Sequence, residues 1–229
     1  MMKLNRTLIA VIVAISAFIT ACKKGDDSTG IRQTTTVNLV NATVDTVNVY
    51  VNGSRVNTTN FLYPLGSSGP INTLVGLQNY QARKAGRPDV LFNVPLALDS
   101  GKRYSFYIAG NSAEQAFAFV DTLSSAAKDT LLVRVAHTSP SVGNVDVTVG
   151  DTLAFTNISF KSISPYFATG SGSRRHIRIY KAGIAHSAAS LISDDIWLLT
   201  PRRAYTIFLR SNLTTSPTTN ATGLTLNDN

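Results

Sequence analysis

Val133-Arg134-Val135-Ala136-His137, then Val145-Asp146-Val147-Thr148-Val149 closed by Gly150-Asp151, sets apolar residues at every second position. A period of two puts alternate side chains on opposite faces of an extended chain, whereas a helix needs 3.6. The alternating residues are mostly β-branched, which suits a pleated, half-buried strand. The same alternation returns in Val47, Val49 and Val51 with Asn48, Tyr50 and Asn52, followed by Gly53. It returns again in Ile177 and Ile179 around Arg178, and in Tyr205, Ile207 and Leu209. No window holds a convincing amphipathic helix. The best one, 182–192, is interrupted by Gly183 and lacks a clean apolar stripe.

These strands occur twice. Val37-Asn38-Leu39-Val40-Asn41 lies over Val133 to His137, and Val47 to Val51 over Val145 to Val149. Lys84-Ala85-Gly86 lies over Lys181-Ala182-Gly183. Lys102-Arg103-Tyr104-Ser105-Phe106 lies over Arg202-Arg203-Ala204-Tyr205-Thr206-Ile207 with one residue of slippage. The offset is about 97 residues. That is too long for a solenoid unit and fits a sandwich domain of roughly 100 residues. The reading is therefore all-β: two tandem Ig-like or transthyretin-like antiparallel β-sandwich domains, over 34–125 and 129–229, joined by the polar stretch 124–128. Val147, Val149, Ile177, Ile179, Tyr205 and Ile207 are the expected core of the second.

Composition agrees. The chain has 229 residues, 44% hydrophobic and 15% charged. Normal apolar content with few charges excludes disorder and a coiled coil. A single Cys excludes a disulfide framework and a Cys-rich zinc site.

That Cys has another reading. Lys3 and Arg6 precede an apolar run from Leu8 to Ile19, too short for a comfortable membrane span but right for the middle of a signal peptide. The run ends Thr20-Ala21-Cys22, which resembles a bacterial lipobox. The resemblance implies residues 1–21 as a signal peptide, cleavage after Ala21 and lipid on Cys22. Cleavage removes two basic groups, leaving 19 against 13 acidic residues, a net +6. Residues 22–33 form a polar tether without periodicity. Lysine followed by acids there resembles the surface-export signal of lipoproteins in one Gram-negative phylum, with Gly25 interrupting it. The expected address is the outer membrane, facing the periplasm or the cell surface, with the N-terminal lipid as membrane partner.

A family resemblance attaches to the second half. Val133-Arg134-Val135-Ala136-His137-Thr138-Ser139-Pro140 and Val145-Asp146-Val147 resemble the opening of a bacterial module catalogued as domain of unknown function 4397. Ser159-Phe160 through Ser164-Pro165-Tyr166, Ile177 to Gly183, and Ala204-Tyr205-Thr206-Ile207 resemble its later hallmarks. The first half departs from the pattern. Asn41 stands where His137 does, the Ser-Pro is missing, Asn48 replaces Asp146, and 62–77 has no clear counterpart. The resemblance implies a secreted or surface β-sandwich and no established activity.

Chemistry-bearing constellations are few. The chain holds three His, at 137, 176 and 186. None has the spacing of a metal-binding motif, so no metal and no cofactor is expected. His137, Ser139 and Asp146 invite a triad reading. The plainer reading makes His137, Ser139, Pro140 and Asp146 turn structure, because the first repeat keeps the strands without them. Gly170-Ser171-Gly172-Ser173 is neither a nucleophile elbow nor a phosphate loop. Basic residues gather at Arg174, Arg175, His176 and Arg178 and at Arg202 and Arg203, and in matching places at Arg83, Lys84 and Arg87 and at Lys102 and Arg103. Such charge attracts acidic glycans, phosphates or an acidic partner. Aromatics do not interleave with it as a nucleic-acid platform would need. Arg174, Arg175 and Trp197 are the candidate ligand site, suited to a sugar ring bearing an acidic group.

The expected function is a lipid-anchored, non-enzymatic envelope protein that contacts a glycan or another envelope protein. The alternative is a hydrolase, or an accessory subunit, of an envelope polysaccharide system.

Overall fold

The computed structural model describes residues 33–58, 60–122, 124–170, 174–214 and 219–227. The expected signal peptide, the expected cleavage after Ala21 and lipidation of Cys22, and nearly all of the expected tether lie outside the described residues.

The alternating segments are strands, sixteen in number among the described residues. The first repeat holds β1 (Thr34–Asn41), β2 (Val47–Val51), β3 (Ser54–Arg55), β4 (Ser67–Leu74), β5 (Gly76–Lys84), β6 (Val90–Leu98), β7 (Arg103–Ile108) and β8 (Ala116–Val120). The second holds β9 (Thr130–Ala136), β10 (Val145–Val149), β11 (Thr152–Ile158), β12 (Phe167–Gly170), β13 (Arg174–Lys181), β14 (Leu191–Leu198), β15 (Ala204–Leu209) and β16 (Thr222–Leu226). One 3-10 turn, Ala113–Gln115, is the helical element among the described residues.

The strands form four four-stranded sheets with one repeated order: β4-β1-β7-β8 and β3-β2-β5-β6, then β12-β9-β15-β16 and β11-β10-β13-β14. Pairing is antiparallel except β1 with β7 and β9 with β15, which run parallel. Each repeat packs its two sheets over its own core. Val37, Leu39, Val47, Val49, Tyr80 and Phe106 fill the first. In the second, Val147, Val149, Ile177, Ile179, Tyr205 and Ile207 are each at most 4% exposed. The β2–β3 hairpin turns through Asn52 and Gly53, both at positive φ, as a tight two-residue turn requires.

Polar contacts repeat with the strands. The Tyr104 hydroxyl accepts the Asp99 N–H at 3.0 Å, and the Tyr205 hydroxyl accepts the Thr200 N–H at 2.9 Å. Ser68 Oγ accepts Leu39 N–H and donates to Gly69 O, while Ser164 Oγ accepts Val135 N–H and donates to Pro165 O. Ser68-Gly69-Pro70 is thus the counterpart of Ser164-Pro165-Tyr166, inside the stretch that the sequence left unaligned.

The outer faces of the β1/β7 and β9/β15 sheets are not solvated. Val40, Ala42, Tyr107, Ala136 and Phe208, from both repeats, form a third apolar cluster, with Phe117, Phe119 and Ile163 packed against it. Beside it Arg134 Nη2 meets Asp121 Oδ1 at 2.6 Å, with the two side chains 5% and 6% exposed. Arg134 Nε donates to Thr206 Oγ1, and Ser105 Oγ donates to Asp121 Oδ2. Polar residues that alternation assigns to solvent are therefore buried between the repeats.

Candidate functional site

His137 is fully buried at the end of β9. Its Nε2 donates to Gly143 O at 2.8 Å, and its Nδ1 accepts the Ser139 N–H at 3.2 Å. Both ring nitrogens are committed to the 138–144 turn, so neither addresses Asp146 or the Ser139 hydroxyl. Ser139 Oγ donates to Ser211 O instead. Asp146 accepts the Asn157 N–H at 2.7 Å and meets His186 Nε2 at 2.9 Å, and the His186 ring stacks on Tyr180. Pro140 is an exposed turn residue. Burial pushes the His137 imidazole below its ordinary pKa, and the Gly143 carbonyl opposes this only in part.

Asn41 fills the same position in the first repeat. Its Oδ1 accepts the Thr43 N–H at 2.9 Å and its Nδ2 donates to Asp45 O at 2.8 Å. One acceptor for the N–H two residues on and one donor for a turn carbonyl is all the place demands. His137→Asn is therefore expected to stay within about 1 kcal/mol of the parent at pH 8, while His137→Ala loses roughly 1–3 kcal/mol by stranding two buried groups. The pH dependence has a definite sign. The unfolded His137 titrates near 6.5 and the folded one lower. As pH falls through about 6.5 the unfolded chain binds a proton that the folded chain refuses, so stability drops. Urea denaturation from pH 8 to 5 should show the parent losing stability relative to His137→Asn only below about 6.5.

Arg174, Arg175 and Trp197 do not form a single cluster. Arg175 and Trp197 are cross-strand neighbours on β13 and β14, while Arg174 pairs with Leu198 on the opposite face. Arg175 Nη2 donates to Gly170 O at 2.6 Å. On the other face His176 and Arg178 share the Asp194 carboxylate at 2.7 and 3.0 Å. Trp197 is half-buried against the second core, and its Nε1 donates to Thr222 Oγ1 at 2.9 Å. Among the described residues, no three His, Cys, Asp or Glu side chains gather as metal ligands.

Trp197 reaches a different place. It lines a cleft of about 630 Å³ built by both repeats. From the first come Thr36 and Asn38 of β1, Ser67, Gly69 and Pro70 of β4, and Arg103 and Tyr104 of β7. From the second come Arg203, Tyr205 and the 224–227 segment. This volume lies in the range of small-molecule sites, and the wall mixes aromatic, amide, hydroxyl and guanidinium groups as such sites do. Two of the basic pairs noted in sequence, Lys102-Arg103 and Arg202-Arg203, each send one arginine to it. The 174–178 group lies on the β11-β10-β13-β14 sheet instead. Sequence reasoning named Trp197 but missed the first-repeat wall, which needs the packing of the two repeats to exist.

A family model described as domain of unknown function (DUF4397) matches twice, over residues 35–148 and 131–229. No curated protein matches the chain. Among solved structures, the chain is similar to a carbohydrate-binding module of family CBM26 from Eubacterium rectale Amy13K, crystallised with maltoheptaose. The two are 11% identical over 84% of this chain and 96% of that one, with a TM-score of 0.23, below what a common fold gives. The family model reaches across the first repeat as well as the second, and the repeated sheet order and repeated Tyr, Ser and Asn/His contacts follow it. The chain belongs to the family of domain of unknown function 4397 and carries it in tandem.

Proposed function

We propose that this is a lipid-anchored, non-enzymatic binding protein of the Gram-negative outer membrane, held through Cys22 and presenting its β-sandwich repeats to a saccharide of the envelope. The cleft between the repeats carries this reading: it sets Trp197 beside amide, hydroxyl and guanidinium groups. Aromatic faces with convergent hydrogen-bonding groups suit a sugar ring. The commitment of both His137 nitrogens to a turn speaks against the hydrolase reading. A lipid with several acyl chains on Cys22 would hold the protein stably at the membrane.

Two measurements test this proposal. Mass spectrometry of the protein from bacterial membranes should find Cys22 as a lipid-modified N-terminus, and Cys22→Ala should move the protein out of the membrane fraction. An unmodified Cys22 refutes the anchor. A panel of immobilised envelope saccharides should retain the purified chain. Retention of none refutes the binding role.

A further inference from the structure

We propose that the cleft is one half of a longer groove, which takes a linear oligosaccharide over the edge of the first repeat, from Trp197 to an aromatic pair at Phe61 and Tyr63. The proposal rests on the saccharide reading above and adds a second contact surface and the need for a chain of sugars. A smaller cavity of about 260 Å³ lies in the first repeat, with Asn57, Asn60 and Phe61 in its wall. Ser67 and Pro70 of β4 line this cavity and the Trp197 cleft alike. β4 is the outermost strand of its sheet, so a ligand can pass over it from one cavity to the other.

The aromatic pair is held in place without being buried. Leu62 is 2% exposed and exchanges two backbone hydrogen bonds with Val47, at 3.0 and 3.2 Å. Its neighbours Phe61 and Tyr63 therefore point away from the core, and they are 45% and 59% exposed. Their rings meet in a T-shaped contact at 6.4 Å, and the Arg55 guanidinium lies 5.2 Å from the Phe61 centroid. Asn57, itself buried, accepts the Val49 N–H and donates to Asn60 O, which fixes the loop before the pair. After it, Gly66 N–H donates to Tyr63 O at 3.0 Å in the turn that enters β4. A ring already fixed and presented to water loses little freedom when it meets the apolar face of a sugar.

The second repeat shows that the fold does not require these rings. Val145 pairs with Ile158 as Val47 pairs with Leu62, so Asn157 and Ser159 stand where Phe61 and Tyr63 do. Adjacent exposed aromatics that packing does not demand mark a contact surface. The occupant is not a further strand. β4 carries an extra residue between Ser67 and Pro70, and Pro70 has no N–H, two features that blunt a sheet edge against strand addition. In the cleft wall, Asn38 pairs with Pro70 across the sheet, and its Oδ1 is out of solvent without a donor among the described residues. A buried acceptor without a donor costs free energy that a sugar hydroxyl or acetamido N–H can recover. A linear oligosaccharide offers such donors and an apolar ring face at every unit, which a groove with aromatics at both ends calls for.

Calorimetric titration of the full chain in detergent micelles, with the disaccharide and the hexasaccharide of chitin and of amylose, tests this. In at least one series the hexasaccharide should bind at least roughly tenfold more tightly than the disaccharide. Phe61→Ala should weaken hexasaccharide binding by roughly tenfold and leave the disaccharide unaltered. Phe61→Tyr, which keeps a ring face, should match the parent. Leu77→Ala, on an apolar side chain 73% exposed elsewhere in the first repeat, should change neither. Equal affinities for the two lengths, or a Phe61→Ala loss that is absent or the same for both, overturns the extended groove while leaving saccharide binding intact. Binding of no probe by the parent chain overturns the saccharide reading itself.

Discussion

Replacing Asp121 with alanine should destabilise the protein by about 3–5 kcal/mol, the cost of stranding a buried partner charge. Asp121 follows β8, and its carboxylate lies 2.6 Å from the Arg134 guanidinium at 5–6% exposure. Without it, Arg134 keeps the Thr206 hydroxyl at 2.8 Å and the Tyr166 ring at 4.8 Å. Neither neutralises a full charge away from water. Arg134→Met should be similarly costly, because it strands the carboxylate against the Ser105 hydroxyl alone. The double variant should cost much less than the sum of the two, since the desolvation of both ions vanishes together. Urea denaturation at pH 7 of the four proteins reads this cycle. A loss under about 1 kcal/mol in Asp121→Ala would mean that the pair is solvated and that the repeats do not bury it.

Phe208→Ala should cost a comparable amount, about 3–5 kcal/mol. Phe208 is fully buried in the cluster shared by both repeats, with its ring 6.3 Å from that of Tyr107 in a T-shaped contact. Its ring also lies on Gly223, where an added Cβ would stand 2.1 Å from the ring carbon Cζ. That close approach explains a glycine at the second position of β16. The loss should appear as uncoupling as well as destabilisation. In the parent, Trp197 emission, which reports the second repeat, and circular dichroism, which reports both, should give coincident transitions. In Phe208→Ala they should separate. Coincident curves with an unchanged midpoint would show that the cluster does not hold the repeats together.

Much of this fold was legible because each strand declares its core face. Val147, Ile177 and Ile207 alternate with polar neighbours, and that alternation alone fixed strand identity and the second core. The outer faces were not legible. Asn38, Ser105, Arg134 and Thr206 occupy positions that alternation gives to water, and the packing of one sheet on another buries Ser105, Arg134 and Thr206. No local pattern distinguishes an arginine facing solvent from one facing a second domain's aspartate. The same gap hid the candidate site. Arg103 lies about 100 residues of chain from Trp197 and Arg203 and lines one cleft with them only through that packing, whereas Arg174 and Arg175 are adjacent in sequence and point to opposite faces of a strand. Asn41 illustrates a subtler case. Its chemistry matches His137 at two hydrogen bonds although the side chains look unlike.

Trp197 is the single tryptophan of the chain and lines the cleft. Its emission therefore tests most directly whether ligand enters between the repeats. On titration of the full chain with a saccharide that the immobilised panel retains, the emission should change saturably. Trp197 should also become protected from a soluble quencher over the same range. Retention of that saccharide with emission and quenching both unaltered would place the ligand elsewhere and contradict the account.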